Sequence, residues 1–172
     1  FESWSRYYAS HSKELLFLYH NTMSTNKINC YRTLLEVDKN VTLKELKSIY
    51  RNSMKQYHPD LFPTEAEKTE ADEKSQAIIE AYHFLVSIAN ETVEKNREEF
   101  EAIIAENNIA EFYMDEGILF INLVNGSKFE YYGVPKVTYI KMINSDSPAR
   151  FAKRHIYGKF VYRSAAKMAG LE

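Results

Sequence analysis

Cysteine is nearly absent: Cys30 is the only one in 172 residues. No intrachain disulfide can form, and none of the usual zinc-binding spacings is present. That scarcity fits a reducing compartment. Long apolar runs are missing too. Leu15-Leu16-Phe17-Leu18-Tyr19 is shorter than a signal-peptide core and far short of a membrane span. There is no internal repeat, no low-complexity tract and no nucleophile motif. The expectation is a cytoplasmic protein without membrane contact, metal, cofactor or catalytic residues. The first residue is Phe, so the chain reads as a possible internal fragment. Met23 is a plausible start, and residues 1–23 are expected to be an extension, partly disordered.

What is present is ordinary globular material, 45% hydrophobic and 27% charged, enough for one medium domain or two small ones. The net charge of −2 conceals a split. Residues 133–172 carry eight Lys/Arg against two Asp/Glu, while residues 1–132 carry fourteen against twenty-two. Two units with different surfaces are expected, the later one suited to an anionic partner.

The organising stretch is Lys44 to Asp60, KELKSIYRNSMKQYHPD. Lys44, Lys47, Arg51 and Lys55 recur at intervals of three and four, which on a helix makes one positive stripe. Leu46, Ile49, Tyr50 and Tyr57 supply an apolar face. Thr42 with Glu45 three residues on forms a capping box at the start. Pro59 cannot donate a helical hydrogen bond and biases His58 away from helical dihedrals, so the helix ends there. The result is a basic rod tipped by a stiff corner, His58-Pro59-Asp60, that presents an imidazole and a carboxylate. It suits an acidic partner better than it suits catalysis, since Asp60 is too close to presume a relay and no nucleophile is indicated.

Around this stretch, Ser24–Asn29 reads as a polar loop and Tyr31–Glu36 as a short helix with Leu34 and Leu35 inward. Leu61–Thr64 reads as a loop. A second long helix carries Ile78, Ile79, Ala81, Tyr82, Leu85 and Val86, and pairs antiparallel with the basic one. Residues 91–109 read as one charged linker helix, a spacer with a narrow stripe of Val93, Phe100, Ile103 and Ile104. Strands follow at Phe112–Asp115, Ile118–Val124 and Lys128–Tyr132, the last two joined by Asn125-Gly126, a strong hairpin signal. Pro135 opens a helix over Lys136–Ile143. Ser147-Pro148 caps another that runs to about Tyr157 and closes at Gly158. The fold class expected is α+β: an antiparallel helical hairpin, a charged linker helix, then a small antiparallel β-meander followed by two helices. His83 and His155 are read as surface or partly packed side chains, His155 being better placed for an anion than a metal. Cys30 is read as a partly buried small side chain.

Residues 30–85 resemble a J-domain, the module by which DnaJ-type co-chaperones engage DnaK-type ATP-driven chaperones. CYRTLLEV is similar to its opening helix, VTLKELKSIYRNSMKQYHPD to its second helix and loop, and IIEAYHFL to the core of its third. The pattern departs where Glu36 replaces the usual Gly and where Ser53 and Ser75 replace bulky apolar residues, each lost side chain forgoing roughly 1.5–3 kcal/mol of burial. The resemblance implies that Lys44, Lys47, Arg51, Lys55, His58, Pro59 and Asp60 bind the chaperone and stimulate its ATPase.

Residues 112–163 resemble the KTSC domain, through the Asn125-Gly126 hairpin, Tyr131-Tyr132-Gly133-Val134-Pro135, Ser147-Pro148-Ala149-Arg150-Phe151 and Ile156-Tyr157-Gly158-Lys159-Phe160. Ala149 stands where that family prefers Gly, and Lys153 where it prefers Asn. A nucleic-acid role is only suggested for it; Arg150, Lys153, Arg154, Lys159 and Arg163, interleaved with aromatics, are the candidate contacts. The rival for this unit is a protein client or scaffold. The expected layout is a J-domain at 24–90, the linker at 91–109, a KTSC-like domain at 110–164 and a tail at 165–172. The alternative function is an RNA-binding adaptor whose J-like half does not stimulate an ATPase.

Overall fold

The computed structural model describes residues 24–106 and 108–165. The expectations for residues 1–23 and for the tail after residue 165 lie outside the described residues.

The stretch expected to be a loop before Tyr31 is helical: α1 spans Ser24–Leu34. Ile28, Tyr31 and Leu35 fall three and four residues apart and are buried together, and the polar residues between them leave that face intact. The spacing outweighs the local polarity. Beyond α1 the chain turns with Glu36 in the left-handed region, φ 54°. The Val37 amide donates to the Arg32 carbonyl and the Glu36 amide to that of Thr33. This is a Schellman closure that ordinarily uses Gly, so Glu36 sits where the J-domain pattern has its glycine for a conformational reason.

Two long helices make the hairpin, α2 over Leu43–Tyr57 and α3 over Glu65–Ile88. Both begin with complete capping boxes, Thr42 with Glu45 and Thr64 with Glu67, each satisfying amides the helix cannot. Leu46 from α2 and Ile78, Ala81, Phe84 and Leu85 from α3 form the core with α1. Tyr50 stacks on Tyr82 at 4.3 Å. Ser53 is half-buried, and the neighbouring Met54, half-buried too, packs against the core. Ser75 is buried, and its hydroxyl donates to the Tyr57 carbonyl at 2.6 Å. The expected loss of apolar burial at Ser75 is therefore offset by a satisfied polar contact.

The single linker helix is not observed. Residues 91–109 hold α4 (Asn90–Lys95) and α5 (Arg97–Glu106), broken at Asn96, and then enter the first strand. Nor is this stretch a solvated spacer. Phe100 is buried, stacks on Tyr162 at 4.1 Å and meets Phe129 edge-on. Its stripe belongs to the core of the second unit.

That unit is a four-stranded antiparallel sheet in the order β1-β2-β3-β4: Ile109–Asp115, Ile118–Leu123, Lys128–Tyr132 and Val161–Ser164. Glu116 and Gly117, both at positive φ, make the first two-residue turn, and Gly126 at φ 87° closes the next. The helices α6 (Lys136–Ile143) and α7 (Pro148–His155) follow as expected, the latter capped by Ser147. The fourth strand was not anticipated. It pairs with β3, placing Arg163 opposite Glu130.

The sheet is covered on both faces. Leu119, Ile121, Leu123, Phe129 and Tyr131 pack against Phe100, Met142, Ala152 and Ile156. Ile118, Phe120 and Tyr132 point the other way, into the core of the helical hairpin. Tyr132 meets Phe84 edge-on at 5.2 Å. The two units thus share a core. No helix among the described residues is long and apolar enough to cross a membrane.

Candidate functional site

Lys44, Lys47, Arg51 and Lys55 are all exposed on α2. At 3.6 residues per turn they occupy an arc of about 80°, opposite the side that carries buried Leu46. Among the described residues none of the four is ion-paired, so their field is directed to solvent.

The rod ends at Tyr57, and Pro59–Leu61 forms one 3-10 turn whose N-cap is His58. His58 adopts φ −65° and ψ 128°, the extended geometry a following proline enforces. Its Nδ1 accepts the Asp60 amide at 3.3 Å. The Asp60 carboxylate lies 3.5 Å from the same nitrogen. The imidazole is 52% exposed and the carboxylate 88%, so both are open to a partner. Leu61, 60% exposed, adds an apolar group to the corner that sequence reasoning did not single out. The backbone is fixed by Leu61 donating to His58 and Phe62 to Pro59. Such an arrangement supports recognition: a cationic strip for attraction, then a donor and an acceptor at fixed spacing.

The C-terminal cations are differently placed. Arg150, Lys153 and Arg154 are exposed on α7, and Lys159 is exposed in the turn beyond it. Lys153 also donates to the Ala105 carbonyl at 3.3 Å, tying α7 to the end of α5. Arg163 does not join them as an exposed cation. Its Nε donates to Glu130 Oε2 at 2.5 Å and its Nη2 to Oε1 at 3.1 Å. Its guanidinium sits 5.1 Å from the centre of the Phe84 ring. The reason is its strand register, which sets it against a carboxylate between the two units. Burial pushes the Glu130 carboxyl up, but the Arg163 guanidinium and the Tyr132 hydroxyl outweigh it and hold the group below its ordinary value. Tyr132 donates to the same carboxylate and, through burial and that bond, is pushed far up. Sequence reasoning missed Glu130 because only the long-range strand pairing reveals its partner.

The other candidates carry little chemistry. His83 is half-buried, edge-on to Tyr82. His155 is exposed against Phe151. Burial pushes the Cys30 thiol up, which disfavours the thiolate. Tyr131 and Tyr132 are buried in packing and do not form a base-stacking surface. No group of three His, Cys, Asp or Glu among the described residues is placed to hold a metal ion.

Comparison with known proteins agrees with this division. The DnaJ domain family matches residues 29–101 and the KTSC domain family residues 99–160. The chain is similar to Chaperone protein DnaJ 1 of Aquifex aeolicus, 34% identical over 82 residues, which are 48% of this chain and 20% of that protein. It is 46% identical over 57 residues to Chaperone protein DnaJ of Fusobacterium nucleatum subsp. polymorphum, covering 32% of this chain and 14% of that one. The Thermoplasma acidophilum protein of that name is 46% identical over 55 residues, with the same shares. The chain therefore spans a fifth or less of these relatives, all within their J-domain region. Its hairpin and exposed corner thus lie in the region that matches the DnaJ domain family, and its covered sheet in the region that matches the KTSC domain family.

Proposed function

We propose that this protein is a co-chaperone that docks on a DnaK-type ATP-driven chaperone and stimulates its ATPase, the KTSC domain serving as a targeting module. The observation that carries the reading is the run of four exposed cations on one face of α2, leading into an exposed imidazole and carboxylate. Lys44, Lys47, Arg51 and Lys55 attract and orient an acidic surface, an effect that weakens with ionic strength. His58 and Asp60 then supply a hydrogen-bonding group and an arginine-pairing group, held at a fixed angle by Pro59. The protein acts as an effector and not as an enzyme, and needs no cofactor. To stimulate, it must bind one chaperone conformation better than another. A cytoplasmic location suits such a partner.

Single-turnover ATP hydrolysis by a DnaK-type chaperone tests the proposal. The wild-type chain is expected to accelerate the turnover and His58→Gln to leave it near the unstimulated rate. Equal rates with the two proteins overturn it. A second reading, an RNA-binding adaptor, draws on the exposed Arg150, Lys153, Arg154 and Lys159. Gel shifts across a salt series decide it: absence of binding at low salt removes that reading.

A further inference from the structure

Tyr57 is the last residue of α2, so its carbonyl is one of those the helix cannot satisfy. The residues that follow do not satisfy it either. Pro59 has no amide hydrogen, the Asp60 amide goes to His58 Nδ1, and those of Leu61 and Phe62 go to the carbonyls of His58 and Pro59. The partner comes from the neighbouring helix, eighteen residues on: the buried Ser75 hydroxyl donates to Tyr57 O at 2.6 Å. The adjacent residue on α3, Lys74, holds its ammonium 3.9 Å from the centre of the Tyr57 ring. Both the backbone and the ring of the residue immediately before His58 are thereby gripped by α3.

We infer that Ser75 is a positioning residue for the His58-Pro59-Asp60 corner, a hydroxyl latch that sets the corner's angle relative to the cationic face of α2. The inference rests on the proposed docking function but has its own observable. A bulky apolar residue at this position fills space without meeting the carbonyl; a hydroxyl meets it and fixes one direction. Lys74 acts on the ring of Tyr57 and adds a weaker restraint.

The test uses the full chain with Ser75→Ala, Ser75→Val and Ser75→Thr, the last keeping the hydroxyl and Val matching its shape without it. Backbone ¹⁵N order parameters at His58, Asp60 and Leu61 are expected to be near about 0.85 in wild type and to fall below about 0.7 in the Ala and Val variants. Ser75→Thr stays near wild type, and amides in the middle of α3 and in the sheet do not change. In the single-turnover assay, Ala and Val are expected to lower the maximal stimulation about threefold or more, with the half-saturating concentration unchanged because the cationic face is intact. Unchanged order parameters in Ser75→Ala, or a Thr variant as mobile as Val, overturn the latch. So does a higher half-saturating concentration with full maximal stimulation, which makes Ser75 a contributor to binding only. If wild type and His58→Gln stimulate equally, the docking proposal falls, and the order parameters still decide the latch.

Discussion

Arg51 stands on the open face of α2, while the Arg163 side chain is 14% exposed, with both oxygens of Glu130 bonded to its guanidinium. The residue type is the same; the surroundings assign opposite work. The α2 cations face solvent and, among the described residues, pair with no carboxylate, so they matter little to folding. Arg163 pairs with a carboxylate on the neighbouring strand, lies against the Phe84 ring of α3 and acts on contact. A run of positive letters therefore says nothing about a ligand until its partners are known. What separates the two cases is whether a long-range pairing supplies the counter-charge.

Arg163→Ala should break this contrast most sharply. It strands the Glu130 carboxylate, and removing one member of a buried pair costs about 3–5 kcal/mol, read as a lower urea midpoint. Phe84→Ala follows at about 3–5 kcal/mol, because Phe84 touches Tyr31, Tyr132 and Arg163 at once. Its melt should remain a single transition for helical and aromatic probes alike; a sheet that melts unchanged while the hairpin loosens would contradict the shared core. Charge reversal on the open face, Lys47→Glu, should leave stability alone. It should weaken apparent affinity for a DnaK-type chaperone about tenfold at low salt, with the difference shrinking as salt rises.

Acid sharpens the comparison further. The Glu130 carboxyl is held below its ordinary value in the folded state, so its contribution is complete above the unfolded pKa and is lost as pH falls through the folded one. Denaturation midpoints should decline below about pH 4.5, and Glu130→Gln should flatten part of that decline while lowering stability at neutral pH. Smaller still, Glu36→Gly should raise stability by about 0.5–1 kcal/mol, relieving the left-handed backbone after α1 less the entropy of the added glycine. Arg150→Ala should shift stability by no more than about 0.5 kcal/mol.

Local signals were legible and distant ones were not. The Thr42–Glu45 box, the stop at His58-Pro59 and the Asn125-Gly126 turn each act within a few residues, so α2, its corner and the β2–β3 hairpin could be placed from composition and spacing. The start of α1 was obscured by its polar run, although Ile28, Tyr31 and Leu35 carried the helical period. Val161–Ser164 is four residues long, too short for a periodic signal, and becomes a strand only because β3 offers it an edge. Asn96 breaks the expected linker helix, and Phe100 leaves the solvent because an aromatic pocket awaits it. The contact of Ser75 with Tyr57 and that of Arg163 with Glu130 both depend on where separate elements meet.

The ring of Phe84 resting edge-on against Tyr132 has a mechanical consequence. Packing, and not the length of the connecting segment, determines the heading of one half relative to the other. Anything seated on the KTSC-like half would be presented at a single reach and tilt relative to the α2 corner, as a tool on a rigid bracket and not as a hook on a cord.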